Sequence, residues 1–124
     1  MAETNDRKIL LDWMRRNFLP ESASGWESTL HFHLSGEQPA TIDFARKKLT
    51  ASSGLNGEPL AVVNTRSNTL LEILKGETPL DIAIMKGSLD ADNMVEVFKF
   101  ISVFKPTAAR RVKTAIGKTQ RKKS

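Results

Sequence analysis

Residues 26–35 alternate apolar and polar side chains, and this alternation constrains the fold more than any other feature of the sequence. One set of positions holds Trp26, Ser28, Leu30, Phe32 and Leu34, and the other holds Glu27, Thr29, His31, His33 and Ser35. Successive side chains of a β-strand point to opposite faces of the sheet. The stretch therefore predicts a strand with one face towards an apolar core and one face towards water.

Four further strands are predicted downstream of this one. Residues 41–44 and 49–52 repeat the alternation, although the link between them, residues 46–48, contains no glycine, asparagine or proline. Residues 60–65 are more continuously apolar, which is typical of a central strand. Residues 88–92 alternate again and predict a short fifth strand.

Four helices are predicted from apolar side chains that recur at spacings of three and four residues. The first covers residues 6–19, the second 67–75 and the fourth 93–105. The third begins with Thr78 as its cap and Pro79 at its first helical position. Its side chains are apolar around most of the circumference, so we expect this helix to be buried on several sides.

The order of these elements is helix, four strands, two helices, strand, helix. Because the helices are separated from a run of consecutive strands, the order predicts an α+β fold. We expect a five-stranded, mostly antiparallel sheet that helices cover on one face. The 124 residues fit a single domain, which we divide into an N-terminal helix and linker (1–25), a main domain (26–106) and a basic tail (107–124).

The positive charge of the chain is concentrated in the tail. The net charge is +5, whereas residues 1–106 carry 12 basic and 14 acidic side chains and a net charge of −2. The tail contains no acidic residue and seven basic ones, which are Arg110, Arg111, Lys113, Lys118, Arg121, Lys122 and Lys123. It is either a solubilising end or a contact for an anionic membrane surface. Nucleic acid is not the favoured partner, because the tail has no aromatic residue that could stack on bases.

Several kinds of chemistry are absent from the sequence. The chain has no cysteine, which excludes disulfides, thiol catalysis and thiolate metal sites. We find no glycine-rich phosphate loop and no catalytic serine motif. We therefore expect a protein that is not an enzyme and needs no cofactor. The polar, acidic start of the sequence is unlike a secretory signal, so we expect a cytoplasmic location.

His31 and His33 are the one pair of side chains with the spacing of metal ligands. At positions i and i+2 of a strand they share a face, and Asp43 on the next strand could supply a third ligand. The alternation with Leu30, Phe32 and Leu34 places both histidines on the solvent face. We therefore expect both to be exposed and to bind no metal.

Two parts of the chain resemble the sterol carrier protein (non-specific lipid transfer protein) family, and the resemblance covers about residues 26–105. The first is the opening strand, residues 29–36. The second is the run of a helix that ends at Gly76, a Thr78-Pro79 start, a Met85-Lys86-Gly87 motif and a short strand before the last helix. The sequence departs from the family pattern at Lys86, Ser88 and Ala91.

This resemblance implies a lipid carrier. Periodicity alone predicts a close-packed core, whereas members of the family hold an acyl chain, a sterol or a related lipid in an apolar tunnel between sheet and helices. The residues that we expect to contact such a lipid are Phe32, Phe44, Val62, Leu71, Leu74, Leu80, Ile84, Met85, Met94, Phe98 and Ile101. Two alternatives remain: an accessory module that delivers an apolar substrate to an enzyme system, and an anionic-surface or nucleic-acid binder that acts through the tail.

Deletion of residues 107–124 should leave the fold nearly intact, because Pro106 ends the last helix and no strong apolar stripe follows. Binding to anionic vesicles should weaken and become less sensitive to salt, since seven cations are lost. Uptake of a fluorescent fatty acid should change little. A truncated protein that binds vesicles but takes up no fatty acid would place the tail in the ligand site.

Overall fold

The computed structural model describes residues 6–106 and has the predicted order of elements. The helices are α1 (Asp6–Asn17), α2 (Ser67–Lys75), α3 (Leu80–Met85) and α4 (Met94–Ser102), with a 3₁₀ turn at Pro20–Ala23. The strands are β1 (Ser28–Leu34), β2 (Ala40–Ala45), β3 (Lys48–Ser53), β4 (Ala61–Thr65) and β5 (Leu89–Ala91). The seven basic positions from Arg110 to Lys123 lie outside the described residues. Within 6–106, the helices are too short and too polar for any of them to cross a bilayer.

The five strands form one mixed sheet in the order β3-β2-β1-β4-β5. Three of the four pairings are antiparallel, and β1 and β4 run parallel. The α+β fold and the mostly antiparallel sheet are thus confirmed. The middle strand is β1, and β4, predicted to be central, is also an interior strand, between β1 and β5. The loop after β3 carries the chain back across β1, where the Leu60 amide donates to the Thr29 carbonyl at 2.8 Å.

The link between β2 and β3, which contains no glycine, asparagine or proline, forms a two-residue hairpin turn. Arg46 and Lys47 have φ angles of 54° and 62°. A tight hairpin needs such left-handed residues because they match the twist of the strands, and asparagine and glycine are the usual ones. The tertiary pairing of β2 with β3 therefore imposes a conformation that the local sequence does not favour.

The core lies between one face of the sheet and helices α1, α2 and α4. Phe100 is fully buried, and its ring centroid lies 5.1 Å from that of Phe32 and 6.0 Å from that of Phe44. Phe104 joins the same cluster at 5.2 Å from Phe100. These aromatic contacts join α4 to the middle of the sheet.

The N-terminal helix shares this core. Leu10, Trp13 and Met14 are buried, and the Trp13 and Phe104 ring centroids are 6.0 Å apart. Backbone hydrogen bonds join the ends of α1 and α4, from the Lys105 amide to the Asn17 carbonyl and from the Leu19 amide to the Val103 carbonyl, both at 2.8 Å. Residues before and after position 25 are therefore packed together as one folded unit.

The third helix is not buried on several sides, contrary to the prediction. It spans only six residues, of which Ala83 alone is buried, and it packs mainly against β5. Ile82 and Ile84 are more than a third exposed, and Met85 is 80% exposed. Its start is also displaced by one residue, because Pro79 takes the cap position and Thr78 donates to the Glu72 carboxylate instead.

Phe100 and Phe98 provide a matched test of this core. Phe100→Ala should lower the free energy of unfolding by about 3–5 kcal/mol, because it leaves a cavity between Phe32, Phe44 and Phe104. Phe98 is on the same helix but 58% exposed, so Phe98→Ala should lower it by about 1 kcal/mol or less. Urea unfolding followed by tryptophan fluorescence measures both. Equal losses would contradict the packing of α4.

Candidate functional site

The predicted lipid-contacting residues fall into three groups by exposure. Phe32, Phe44 and Leu74 are buried in the core. Trp26 covers Phe44 in a stacked arrangement with ring centroids 4.6 Å apart. These three predicted contacts are therefore packed in the core and offer no accessible surface to a ligand.

A second group lies at the edge of the core. The partly buried residues that pack against the core from its edge are Leu71, Leu80, Met94 and Ile101. Val62 does not join them. It follows the buried Ala61 and precedes the buried Val63 on β4, so the alternation of the strand turns Val62 to the opposite face of the sheet.

The third group is exposed. Eight large hydrophobic side chains in residues 6–106 are exposed, and five of them lie on α3 and α4. We call these five the α3–α4 apolar set: Ile82, Ile84, Met85, Val95 and Phe98. Isolated exposed hydrophobic residues are ordinary, but the concentration of five of the eight on two short helices makes α3 and α4 the candidate elements for contact with an apolar partner.

Polar contacts fix α4 with Val95 and Phe98 turned outward. Asn93 caps the helix by accepting from the Glu96 amide at 3.3 Å, and its side-chain amide donates to the Leu60 carbonyl at 2.9 Å. The Glu96 carboxylate accepts from the Trp26 indole N–H at 2.9 Å. These bonds attach the first turn of α4 to the sheet side of the molecule.

The link between α3 and β5 is held in a similar way. The Thr65 hydroxyl donates to the Ser88 carbonyl at 2.8 Å, and the Ser88 amide donates to the Ala83 carbonyl at the same distance. The α3 helix is thus anchored through backbone groups, Ala83 and the partly buried Leu80, while Ile82, Ile84 and Met85 are exposed.

Three pockets lined by described residues lie elsewhere. Two polar ones, of about 420 and 340 Å³, share Ser35 and Arg66. The third, of about 320 Å³, lies between the end of α1 and the β2–β3 hairpin. None of the eleven predicted lipid-contacting residues lines these three pockets, so the apolar tunnel stays a prediction.

The prediction for the two histidines is half wrong. His33 is exposed, whereas His31 is only 8% exposed and its Nε2 lies 2.9 Å from the Asn56 carbonyl oxygen. The loop after β3 covers His31, and Thr41 holds this loop by donating to Gly54 and accepting from the Asn56 amide. No local pattern in β1 could reveal a cover that comes from a distant loop.

Asp43, considered above as a possible third metal ligand, is engaged in another contact. The Asp43 carboxylate accepts a hydrogen bond from the Thr29 hydroxyl at 2.6 Å. In the part of the chain that the structure describes, no three histidine, aspartate or glutamate side chains are grouped as metal ligands.

Comparison with solved structures shows the same fold. The chain is similar to the stereoselective inverting sec-alkylsulfatase Pisa1 from Pseudomonas sp., with 21% identity and a TM-score of 0.73, over 84% of this chain and 17% of that one. A ubiquinone synthesis protein, UbiJ-SCP2, gives 16% identity and a TM-score of 0.61 over 78% and 83% of the two chains.

A third similar structure is sterol carrier protein 2 from Aedes aegypti in complex with palmitate. The two sequences are 18% identical, and the structures superpose with a TM-score of 0.58 over 82% of this chain and 99% of that one. No curated protein matches the chain. The model of the SCP-2 sterol transfer family matches residues 14–105, from the end of α1 to the end of α4. The chain therefore belongs to the SCP-2 sterol transfer family.

Proposed function

We propose that this protein binds an apolar lipid of the fatty acyl, sterol or isoprenoid type and transfers or presents it. The observation that carries this proposal is the α3–α4 apolar set in a member of a lipid-transfer family. Burial of apolar surface contributes about 25 cal/mol per Å², so exposed side chains such as Phe98 and Met85 are available to stabilise a bound ligand. Such binding needs no catalytic group.

A fatty acyl chain is the first ligand to test. A protein of the same fold is solved with palmitate, and a saturated chain needs only an apolar surface along its length. Each methylene removed from water contributes about 0.8 kcal/mol. The partly buried Leu71, Leu80, Met94 and Ile101 extend the exposed set inward to the core.

The α3 helix is the element whose movement would admit the ligand. It has a single buried side chain and six residues, whereas α2 buries four and α4 is joined to the sheet by Phe100. Elements with few buried contacts open at the lowest free energy. Displacement of α3 would withdraw Leu80 from the edge of the core, while Phe32 and Phe44 stay packed beneath α4.

A second candidate function is that of an accessory module for an enzyme system. The chain is similar to a segment that makes up 17% of a sec-alkylsulfatase. In this reading the same apolar surface holds a substrate for a catalytic partner. Co-purification with an enzyme would favour it, and contact of residues 107–124 with an anionic membrane would serve either role.

The Met85→Glu/Phe98→Glu variant should bind a fluorescent fatty acid about 10- to 100-fold more weakly, because two apolar contacts are replaced by charges. Its Tm should stay close to that of the wild type, since Met85 and Phe98 are exposed. The matched control is Ile9→Glu/Leu55→Glu, which changes two exposed apolar residues outside α3 and α4.

Native mass spectrometry of freshly purified protein provides an independent measurement of bound lipid. We expect wild type and control to bind alike. Equal loss of affinity in both double variants would contradict the proposed location, and absence of lipid binding by the wild type would contradict the function itself.

A further inference from the structure

The end of α1 and the β2–β3 hairpin enclose a depression of about 320 Å³ at the sheet edge formed by β3. We call it the hairpin depression, and its lining residues are Arg15, Phe18, Pro20, Lys47, Lys48, Leu49 and Thr50. Three of these side chains are cationic, and three are apolar. The site therefore combines positive charge with an apolar lining.

The turn beside this depression is conformationally unfavourable. Arg46 and Lys47 both adopt left-handed φ angles, 54° and 62°, which non-glycine residues other than asparagine and aspartate rarely do. An Asn-Gly turn would fit the hairpin better. The chain instead places two exposed cations there, and backbone strain at such a position is found where function requires the side chains.

The cations at this end are only partly neutralised. Arg15 contacts Asp12 at 3.4 Å, and Lys47 contacts Glu21 at 3.2 Å. The Glu21 side chain is 83% exposed, so water screens its pairing with Lys47. Within the described residues, Arg46 and Lys48 form no ion pair. An excess of positive charge remains, although residues 1–106 as a whole carry −2.

The chain leaves the domain beside the same depression. Phe18, in its lining, forms a β-bridge with Phe104, and the Lys105 amide donates to the Asn17 carbonyl. The described part of the chain therefore ends beside this depression, and the sequence continues with residues 107–124, which contain seven cations and no acidic side chain.

We infer that the hairpin depression is a docking surface for an anionic lipid bilayer. Lys47 and Lys48 contact the headgroups, and Phe18 and Leu49 offer apolar surface to the interface. The positive charge and the geometry of the hairpin depression do not depend on the proposed function. The choice of a bilayer over another polyanion rests on the proposed lipid function. The apolar lining also fits a lipid interface better than the phosphates of a duplex.

The test is the full-length variant Arg46→Asn/Lys47→Gly. It should raise Tm, because it supplies the preferred turn. It should weaken binding to vesicles of equal parts phosphatidylglycerol and phosphatidylcholine by about 25-fold at low salt, at roughly fivefold for each cation lost. The difference should shrink as salt is added. A purely structural turn would raise Tm and leave vesicle affinity unchanged.

Three comparisons make this test decisive. The control variant Arg66→Gln/Lys86→Gln removes two exposed cations elsewhere and should keep most of the vesicle affinity. Lys48→Gln, outside the turn, should weaken vesicle binding without the gain in Tm. Glu21→Gln should strengthen it, because a competing carboxylate is lost.

Two outcomes would overturn the inference. One is equal vesicle affinity for Arg46→Asn/Lys47→Gly and the control variant. The other is a loss of affinity for random-sequence duplex DNA with vesicle binding unchanged. Binding of the fluorescent fatty acid is measured on the same proteins and should not change. A wild type that binds vesicles but no fatty acid would contradict the proposed function and leave the docking surface standing.

Discussion

The packing of Phe100 against Phe32 and Phe44 is the contact on which the rest of the structure depends. It joins α4 to the two strands that occupy the middle of the sheet, with ring centroids 5.1 and 6.0 Å apart. Through Phe104 the same cluster reaches Trp13 of α1. A contribution of about 3–5 kcal/mol from one such side chain is a large share of the roughly 5–15 kcal/mol that stabilises an ordinary domain.

This arrangement determines which apolar residues remain available for a ligand. An α-helix presents one stripe to the core. In α4 that stripe is Val97 and Phe100, continued by Phe104 just after the helix, so Phe98 is left outside. The short α3 has room to bury only Ala83. The other large apolar side chains of these two helices are therefore exposed, and these exposed side chains are the proposed ligand contacts.

Local patterns predict the strands and helices well, and they fail where distant segments meet. The alternation of residues 28–34 correctly places Leu30, Phe32 and Leu34 in the core. The predicted lipid contacts include Phe98 and omit the buried Phe100, although the interval from Val97 through Phe100 to Phe104 contained the signal. His31 is buried because the loop after β3 covers it. Arg46 adopts a left-handed conformation because β2 pairs with β3. The local sequence encodes neither of these contacts.

The hairpin depression and α3 lie at opposite edges of the sheet. The depression is beside β3, whereas α3, with the exposed Ile82, Ile84 and Met85, is beside β5, four strand spacings or about 19 Å away. Docking on a bilayer through the proposed β3-edge surface would therefore keep α3 and β5 away from that bilayer. Because α3 is the element proposed to move when a lipid enters, this geometry would favour presentation of a bound lipid to a second protein over its direct extraction from the bilayer on which the carrier is docked.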